Sequence, residues 1–491
     1  MPTFPQYQFL ADWSRNGTFG EVGEDVTARV VDDPGFRCER GRDQLRALAP
    51  PMAGASAMTL YNRSRDYSPE NAASPLAGLL GPGCAVSARA TWLATTYHLA
   101  TTVLDDLPQA TTYGRPTVDT PALGALSRLA GQPLSTALYT NIRTDEAIAI
   151  LLDAAGWPAG DRVLSTGRTT LRYWWMDDAD ALAMLLTLFR TEGPGAALYE
   201  DGRGRLVFED RHYRLLTTRA TTSQATFRDS GAAPWHAEPF GYNPGLKDVI
   251  NAATLEVNRR TVGGTEPIWN AGGDIALGPG ESLTIRVVSS DGEPFIEAFT
   301  PQVGPDFTVT YGGLASIDLP VPSGASSALT IVAGAGGATL ANLQVRGKRL
   351  AKQTVRVSNT VDAAASIARH KRRPYDQGVW PEIDINVARD FCNAIVGAYK
   401  DPRPTVSITV EGADDTQLAQ ILGREISDRV RVVEAMSGLD TEMHIERIGH
   451  AVTWGGRKHT ATFGCSKVVG GGLFLLDSAT LGKLDTNTLA F

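Results

Sequence analysis

Short alternations of apolar and polar residues dominate the chain, and helical stripes are few. Val26, Ala28 and Val30 alternate, Phe36 and Cys38 keep the period, and apolar runs follow from Ala57 to Tyr61 and from Val86 to Trp92. A period of two puts successive side chains on opposite faces of a sheet. Turn chemistry at Pro50-Pro51, Tyr67-Ser68-Pro69 and Gly81-Pro82-Gly83 separates the runs. The stretch from 25 to about 92 therefore predicts a small barrel or sandwich, with 71–83 as a long irregular loop.

The period then changes. Thr144 caps a predicted helix with Asp145 and Glu146 in its first turn, where carboxylates favour the positive end of the dipole. Ile148, Leu151, Leu152 and Ala155 form its apolar stripe, and Gly156 and Pro158 end it. A second helix is expected from Asp177, with stripe Leu182, Leu185, Leu186 and Phe189, stopping at Gly193-Pro194. A hairpin turning at Asp201-Gly202 follows.

From 265 to 346 charge thins and Gly, Ser and Thr rise. β-prone runs recur at Leu283–Val288, Phe307–Tyr311, Ala328–Ala333 and Ala338–Val345, with Gly278-Pro279-Gly280 and Asp291-Gly292 as turns. Such spacing predicts an inserted β-sandwich. A helix over Ile385–Tyr399 comes next, with Val387, Phe391, Ile395 and Ala398 on one face. Alternation returns at Val406, Ile408 and Val410, then at Val430 and Val432. In 443–454 the apolar phase runs Met443, Ile445, then Ile448, Val452, Trp454. That one-residue slip predicts a β-bulge near Arg447. The 25–92 and 404–465 stretches are expected to share one strand order.

Composition narrows the class. At 491 residues the chain has room for about three to four domains. Fifty glycines and 28 prolines suit many short strands and turns. A net charge of −8 argues against a protein built to grip DNA. Cys38, Cys84, Cys392 and Cys465 are isolated, so they read as small buried hydrophobes and not as a disulfide framework or zinc site. No apolar stretch approaches the roughly 20 residues of a membrane-spanning helix, and 1–7 lacks the features of a signal peptide.

Candidate chemistry is thin. His444 and His450 would sit roughly 20 Å apart on a regular strand, too far for one metal, so with Glu446 they read as sheet residues. Asp177, Asp178 and Asp180 fit a helix start better than a paired acid/base set. No Lys-Ser/Thr follows the run from Gly334 to Thr339, as a phosphate loop requires. Arg369-His370-Lys371-Arg372-Arg373 reads as a solvated loop or a match for an acidic patch on a neighbouring subunit. In Tyr173-Trp174-Trp175, adjacent aromatics face opposite ways, so one belongs to the core and a sugar platform is disfavoured. No catalytic, cofactor-binding or metal-ligating residues are assigned, and no cofactor is expected.

Motif order adds a resemblance. Arg40-Gly41-Arg42-Asp43-Gln44-Leu45 precedes Ala57-Met58-Thr59-Leu60-Tyr61-Asn62-Arg63-Ser64-Arg65-Asp66-Tyr67-Ser68-Pro69, followed by Asn71, Ser74-Pro75-Leu76 and Pro82-Gly83 before a strand. Near the other end, Ile426-Ser427-Asp428-Arg429-Val430 precedes Met443-His444-Ile445-Glu446-Arg447-Ile448-Gly449-His450. Beyond Gly470-Gly471-Gly472 comes Leu473-Phe474-Leu475-Leu476-Asp477. These stretches, about half of the chain at its two ends, resemble siphophage tail-tip hub proteins, the baseplate hub family often described as minor tail proteins in phages of actinobacteria.

The resemblance implies an α+β, predominantly β fold with two barrel-like tube domains. The partition it suggests is 1–130 as the N-terminal barrel and 131–245 as a helix/hairpin auxiliary domain. A second barrel and auxiliary region would take 246–264 and 347–469, with 265–346 as the inserted sandwich and 470–491 as a C-terminal docking segment. It also implies a homotrimeric ring at the virion's tail tip, assembled in the bacterial cytoplasm. Expected partners are the distal tail protein ring, the tape-measure protein and other minor tail or receptor-binding proteins, with DNA passing transiently through the channel. Many family members continue into a peptidase or lysozyme domain. This sequence stops short of one, so a structural subunit and not an enzyme is expected. The alternative is a carbohydrate- or receptor-binding minor tail protein at the tail periphery.

Overall fold

The computed structural model describes residues 4–42, 48–112, 114–231, 234–290, 292–321 and 323–468, with the backbone of the short strands Gly472–Phe474 and Asn487–Leu489. Asp43, Gln44 and Leu45 of the hub-like motif, Asp291, and most of the 470–491 segment lie outside the described residues.

The fold is α+β and predominantly β. Its largest sheet has 14 strands and contains both barrel-like units. The N-terminal unit runs Gln6–Ala11, Ala85–Trp92, Thr95–Leu104, Ala122–Leu123, Pro51–Tyr61, Phe36–Arg42. The path continues into the C-terminal unit through Leu439–Thr453, Lys458–Lys467, Thr405–Glu411 and Ala237–Asn243. Arg429–Glu434 pairs with the first part of Leu439–Thr453.

The two units do not share one strand order, which corrects that expectation. In each, a hairpin is flanked by a second antiparallel pair on one side and a single strand on the other. That single strand is Gln6–Ala11 in the N-terminal unit, ahead of the pair in sequence, but Arg429–Glu434 in the C-terminal unit, immediately before the hairpin.

Other expectations change for local reasons. Val26 to Val30 is not a strand: Thr27–Arg29 is a 3-10 turn, because the Asp25 carboxylate accepts from the Thr27 amide at 3.0 Å and bends the chain. The second helix begins at Ala181, not Asp177, with Asp180 as its cap accepting from Ala183 N at 2.7 Å. Its buried residues are Ala181, Leu185, Leu188, Thr191 and Glu192. Thr144 is the first residue of the helix Thr144–Ala154 and not its cap: Arg143 takes the cap position, and the Thr144 hydroxyl donates to Glu192, 2.5 Å away. The run from Ala338 to Val345 spans a turn between the strands Ser326–Ala341 and Gln344–Ser358, with Asn342 at φ 56°. The helix Ile385–Tyr399 matches its expected bounds and buries Phe391 and Ile395. The four cysteines are free and buried, and burial pushes the Cys38 thiol up to about 12.

A separate sandwich stands on two long antiparallel strands, Ala252–Asn270 and Gln344–Ser358, which rise from the body of the protein. A four-stranded sheet of Ile275–Leu277, Ser326–Ala341, Ser282–Val288 and Thr308–Asp318 contributes to it. Its core, including Ile268, Phe295, Phe307, Leu329, Ile331 and Leu340, is its own cluster. The helices Thr144–Ala154, Ala181–Glu192 and Ile385–Tyr399 pack into another core with the base of the long strands, Ala253 to Val257. Among the described residues no helix is long and apolar enough to cross a membrane.

Candidate functional site at the joint of the two barrel-like units

The strand Leu439–Thr453 belongs to both units. Its first half pairs with Arg429–Glu434 and its second half with Phe36–Arg42, both along one edge. Between Ile445 and Arg447 the register slips, so the phase change in the sequence is a bulge, as expected. Gly41 sits opposite Arg447 at φ 111°, and a Cβ there would lie 2.2 Å from the Glu446 carbonyl oxygen. The glycine of the Arg40-Gly41-Arg42 motif is thus required by close strand approach.

The bulge turns Glu446 into a buried pocket of charge. Its carboxylate is bound by Arg42 Nε at 2.8 Å, Arg214 at 2.7 and 2.9 Å, and Ser466 Oγ at 2.7 Å. Those donors come from the N-terminal unit, the linking segment and the C-terminal unit. Burial alone would raise the Glu446 pKa, but the two guanidinium groups hold it well below the usual carboxylate range.

A chain of hydrogen bonds continues from there. Arg214 Nε donates to Ser427 Oγ at 3.0 Å, Ser427 donates to Glu209 at 2.5 Å, and the Tyr199 hydroxyl donates to Glu209 at 2.9 Å. Desolvation outweighs these donors at Glu209 and raises its pKa to about 7. Nearby, Arg40 pairs with Glu425, Arg447 with Glu39, and Arg219 bidentately with Asp428 at 2.7 and 2.6 Å. Glu200, from the same hairpin as Tyr199, accepts from Gly54 N at 2.7 Å and Leu126 N at 2.5 Å, tying the hairpin to the N-terminal unit.

The histidines divide. His444 Nε2 donates to the Ala220 carbonyl at 2.9 Å, and burial lowers its pKa to about 4. His450 meets His459 at 3.1 Å, and His459 meets the Tyr7 hydroxyl at 2.8 Å. Burial lowers His459 to about 3 and His450 well below its ordinary value, so this relay is uncharged. His444, Glu446 and His450 therefore have separate partners. Among the described residues no group of three or more His, Cys, Asp or Glu is placed to hold a metal.

The other considered residues lie elsewhere. Asp177 accepts from Arg286 at 2.9 Å and Ser326 at 3.0 Å, both on the sandwich, while Asp178 takes φ 47°. Gly334 to Thr339 lies inside the strand Ser326–Ala341. Arg369, Lys371 and Arg372 are exposed, and Arg373 donates to the Lys247 carbonyl at 3.3 Å. Trp174 is core and Trp175 half-buried. Asn62 explains its motif: its side chain donates to Ser68 at 3.0 Å and accepts from Tyr67 N at 3.1 Å, clasping the Tyr-Ser-Pro loop.

No protein-family model matches the chain, and no curated protein does. Solved structures do. The 43 kDa tail protein of prophage MuSo2 from Shewanella oneidensis superposes with a TM-score of 0.50 at 14% identity, covering 94% of this chain and 98% of that one. The chain shares that fold. A tail protein from Neisseria meningitidis MC58 aligns with a TM-score of 0.49 at 11% identity, covering 94% and 96%. Prophage tail protein gp18 from Listeria monocytogenes EGD-e gives 0.42 at 9% identity, covering 94% of each chain.

Sequence reasoning did not find Glu209, Arg214 and Tyr199, whose partners lie far away in the chain. It also overlooked the helix Asp415–Gly423, although Asp414 and Gln417 carried the signal of a capped start. That helix inserts Leu418 and Leu422 into the core of the N-terminal unit.

Proposed function

We propose that the chain is a structural subunit of a bacteriophage tail, acting as a hub at the tail tip. The end-to-end likeness of fold to the MuSo2 tail protein carries this reading. The joint supplies a physical reason why such a subunit would work. A ring component must pass load between its halves without hinging, and here one strand is common to both. Opening the joint would also strand buried charges, and breaking a buried pair typically costs about 3–5 kcal/mol.

In this reading the subunit is non-enzymatic and closes a homotrimeric ring of siphophage type. The two barrel-like units form the wall beneath the distal tail protein, and 131–245 and the 265–346 sandwich decorate it. The 470–491 segment docks onto a neighbouring subunit or tip protein. The ring opens to release tape-measure protein and DNA. A net charge of −8 suits a channel that DNA must leave, since a basic lining would retain it. Electron micrographs of purified particles decorated with an antibody to this chain test the placement. Label at the tail tip is expected; label on the capsid, or particles that carry none of the chain, would overturn it.

A further inference from the structure

At the joint of the two barrel-like units, carboxylates and guanidinium groups do not pair one to one. Glu446 takes Arg42 and both terminal nitrogens of Arg214, and Arg40 pairs with Glu425. Glu209, 2% exposed, is left with two neutral donors, the Tyr199 hydroxyl at 2.9 Å and the Ser427 hydroxyl at 2.5 Å. We propose that Glu209 is a proton-binding site that latches the joint, closed while its carboxyl is protonated and loosened when it ionises. The proposal does not depend on the hub reading.

The surroundings of Glu209 oppose a charge there. Glu425, from the segment after the helix Asp415–Gly423, brings a second carboxylate. Tyr199 and Tyr213 add neutral phenols, from the hairpin and from the helix Tyr213–Leu216. Arg214 acts on it from a distance, being committed to Glu446, and Arg40 is committed to Glu425. Desolvation therefore outweighs the attraction and carries the carboxyl up from 4.5 to about 7.

Ser427 couples that proton to the joint. Its backbone is held at φ 70°, a left-handed conformation that costs a residue with a side chain. Its amide donates to the Ile445 carbonyl at 2.8 Å, and the Ile445 amide donates to the Asp428 carbonyl at 3.0 Å, beside the bulge. The same segment follows the helix that inserts Leu418 and Leu422 into the N-terminal core. On ionisation the carboxyl O–H bond breaks and its proton passes to water. Releasing Ser427 then lets water reach the charge left behind. The folded value lies above the ordinary 4.5, so the latch contributes fully below 4.5 and is lost as pH rises through about 7. His444, His450 and His459 are lowered instead, so their contribution has the opposite sign.

Infrared difference spectra and amide hydrogen exchange of the full chain, taken on both sides of pH 7, test this. The C=O stretch of one protonated carboxyl should disappear with a midpoint of about 7, and Glu209→Gln should lack that band. Opening at the Ser427 and Ile445 amides, taken as the ratio of parent to Glu209→Gln, cancels intrinsic exchange and the histidines. That ratio should rise on the order of a hundredfold from pH 4.5 to about 7 and then level off. If Glu209→Gln does not fold, Tyr199→Phe removes one of the two donors to the ionised form and should move the band's midpoint up. The proposal is overturned if no carboxyl band depends on Glu209, or if Tyr199→Phe leaves the midpoint in place. It is also overturned if the ratio stays constant with pH, which would make Glu209 a bystander at the joint.

Discussion

Where the two barrel-like units meet, their cores interlock: Leu418, Leu422 and Val452 from the C-terminal half pack in the N-terminal core. Ala197, Tyr199 and Val207 from the hairpin pack in the C-terminal core. Where the sandwich meets the body, the cores stay apart. Two strands pass through, and the packing between them is a small cluster of Leu138, Tyr173 and Leu350, with Trp175 and Ile296 beside it. A network of buried ion pairs centred on Glu446 crosses the first joint, while at the second the Arg260–Glu293 pair is part-buried and the Arg286–Asp177 pair has an arginine side chain 61% exposed. Strand continuity alone therefore does not make one rigid unit; shared core and paired buried charge do. The first joint should unfold as one cooperative block and the second should behave as an attachment.

Acid should separate the two most strongly. His444, His450 and His459 all lie in the C-terminal unit and the sandwich has no histidine. Their folded pKa values are lowered from 6.5, to about 4 for His444 and about 3 for His459. The unfolded chain therefore binds protons first. Stability is fully present above 6.5 and is lost as pH falls toward the folded values, by up to about 1.4 kcal/mol per pH unit and histidine. Calorimetry through that range should show the barrel transition moving down while a sandwich transition stays. A pair of transitions that fall together would break the comparison.

Removing the central carboxylate comes next. Glu446→Ala should cost about 3–5 kcal/mol, because Arg42 and Arg214 are left buried without their anion. Urea unfolding should show a lower midpoint with an unchanged slope. A loss below about 1 kcal/mol would mean that apolar packing, not the ion network, fixes the joint.

The smallest effect should come from the neck. Arg286→Ala should cost no more than about 1 kcal/mol, since the pair it breaks is solvent-screened. The barrel midpoint should not move. A shift of the barrel transition would show that the sandwich is coupled to the barrel-like units through its rim.

Local pattern made much of this legible. The phase slip from Ile445 to Ile448 marked the bulge that positions Glu446, and the stripe of Ile385–Tyr399 marked that helix, because each signal lies within one element. Alternation misled at Val26 to Val30, where Asp25 turns the backbone whatever the apolar period. The charge network was not legible at all. Arg42, Arg214 and Ser466 carry no mark of a shared partner, and only the fold brings them to Glu446.

An electron cryomicroscopy reconstruction of the assembled tail, computed without imposed symmetry, tests the central claim most directly. The account predicts three copies of this chain around the tail axis, with both barrel-like units in the channel wall, Glu446 at the joint within each copy, and the sandwich directed outward. Six copies at the periphery, away from the axis, would contradict it and make the chain an accessory or receptor-binding protein.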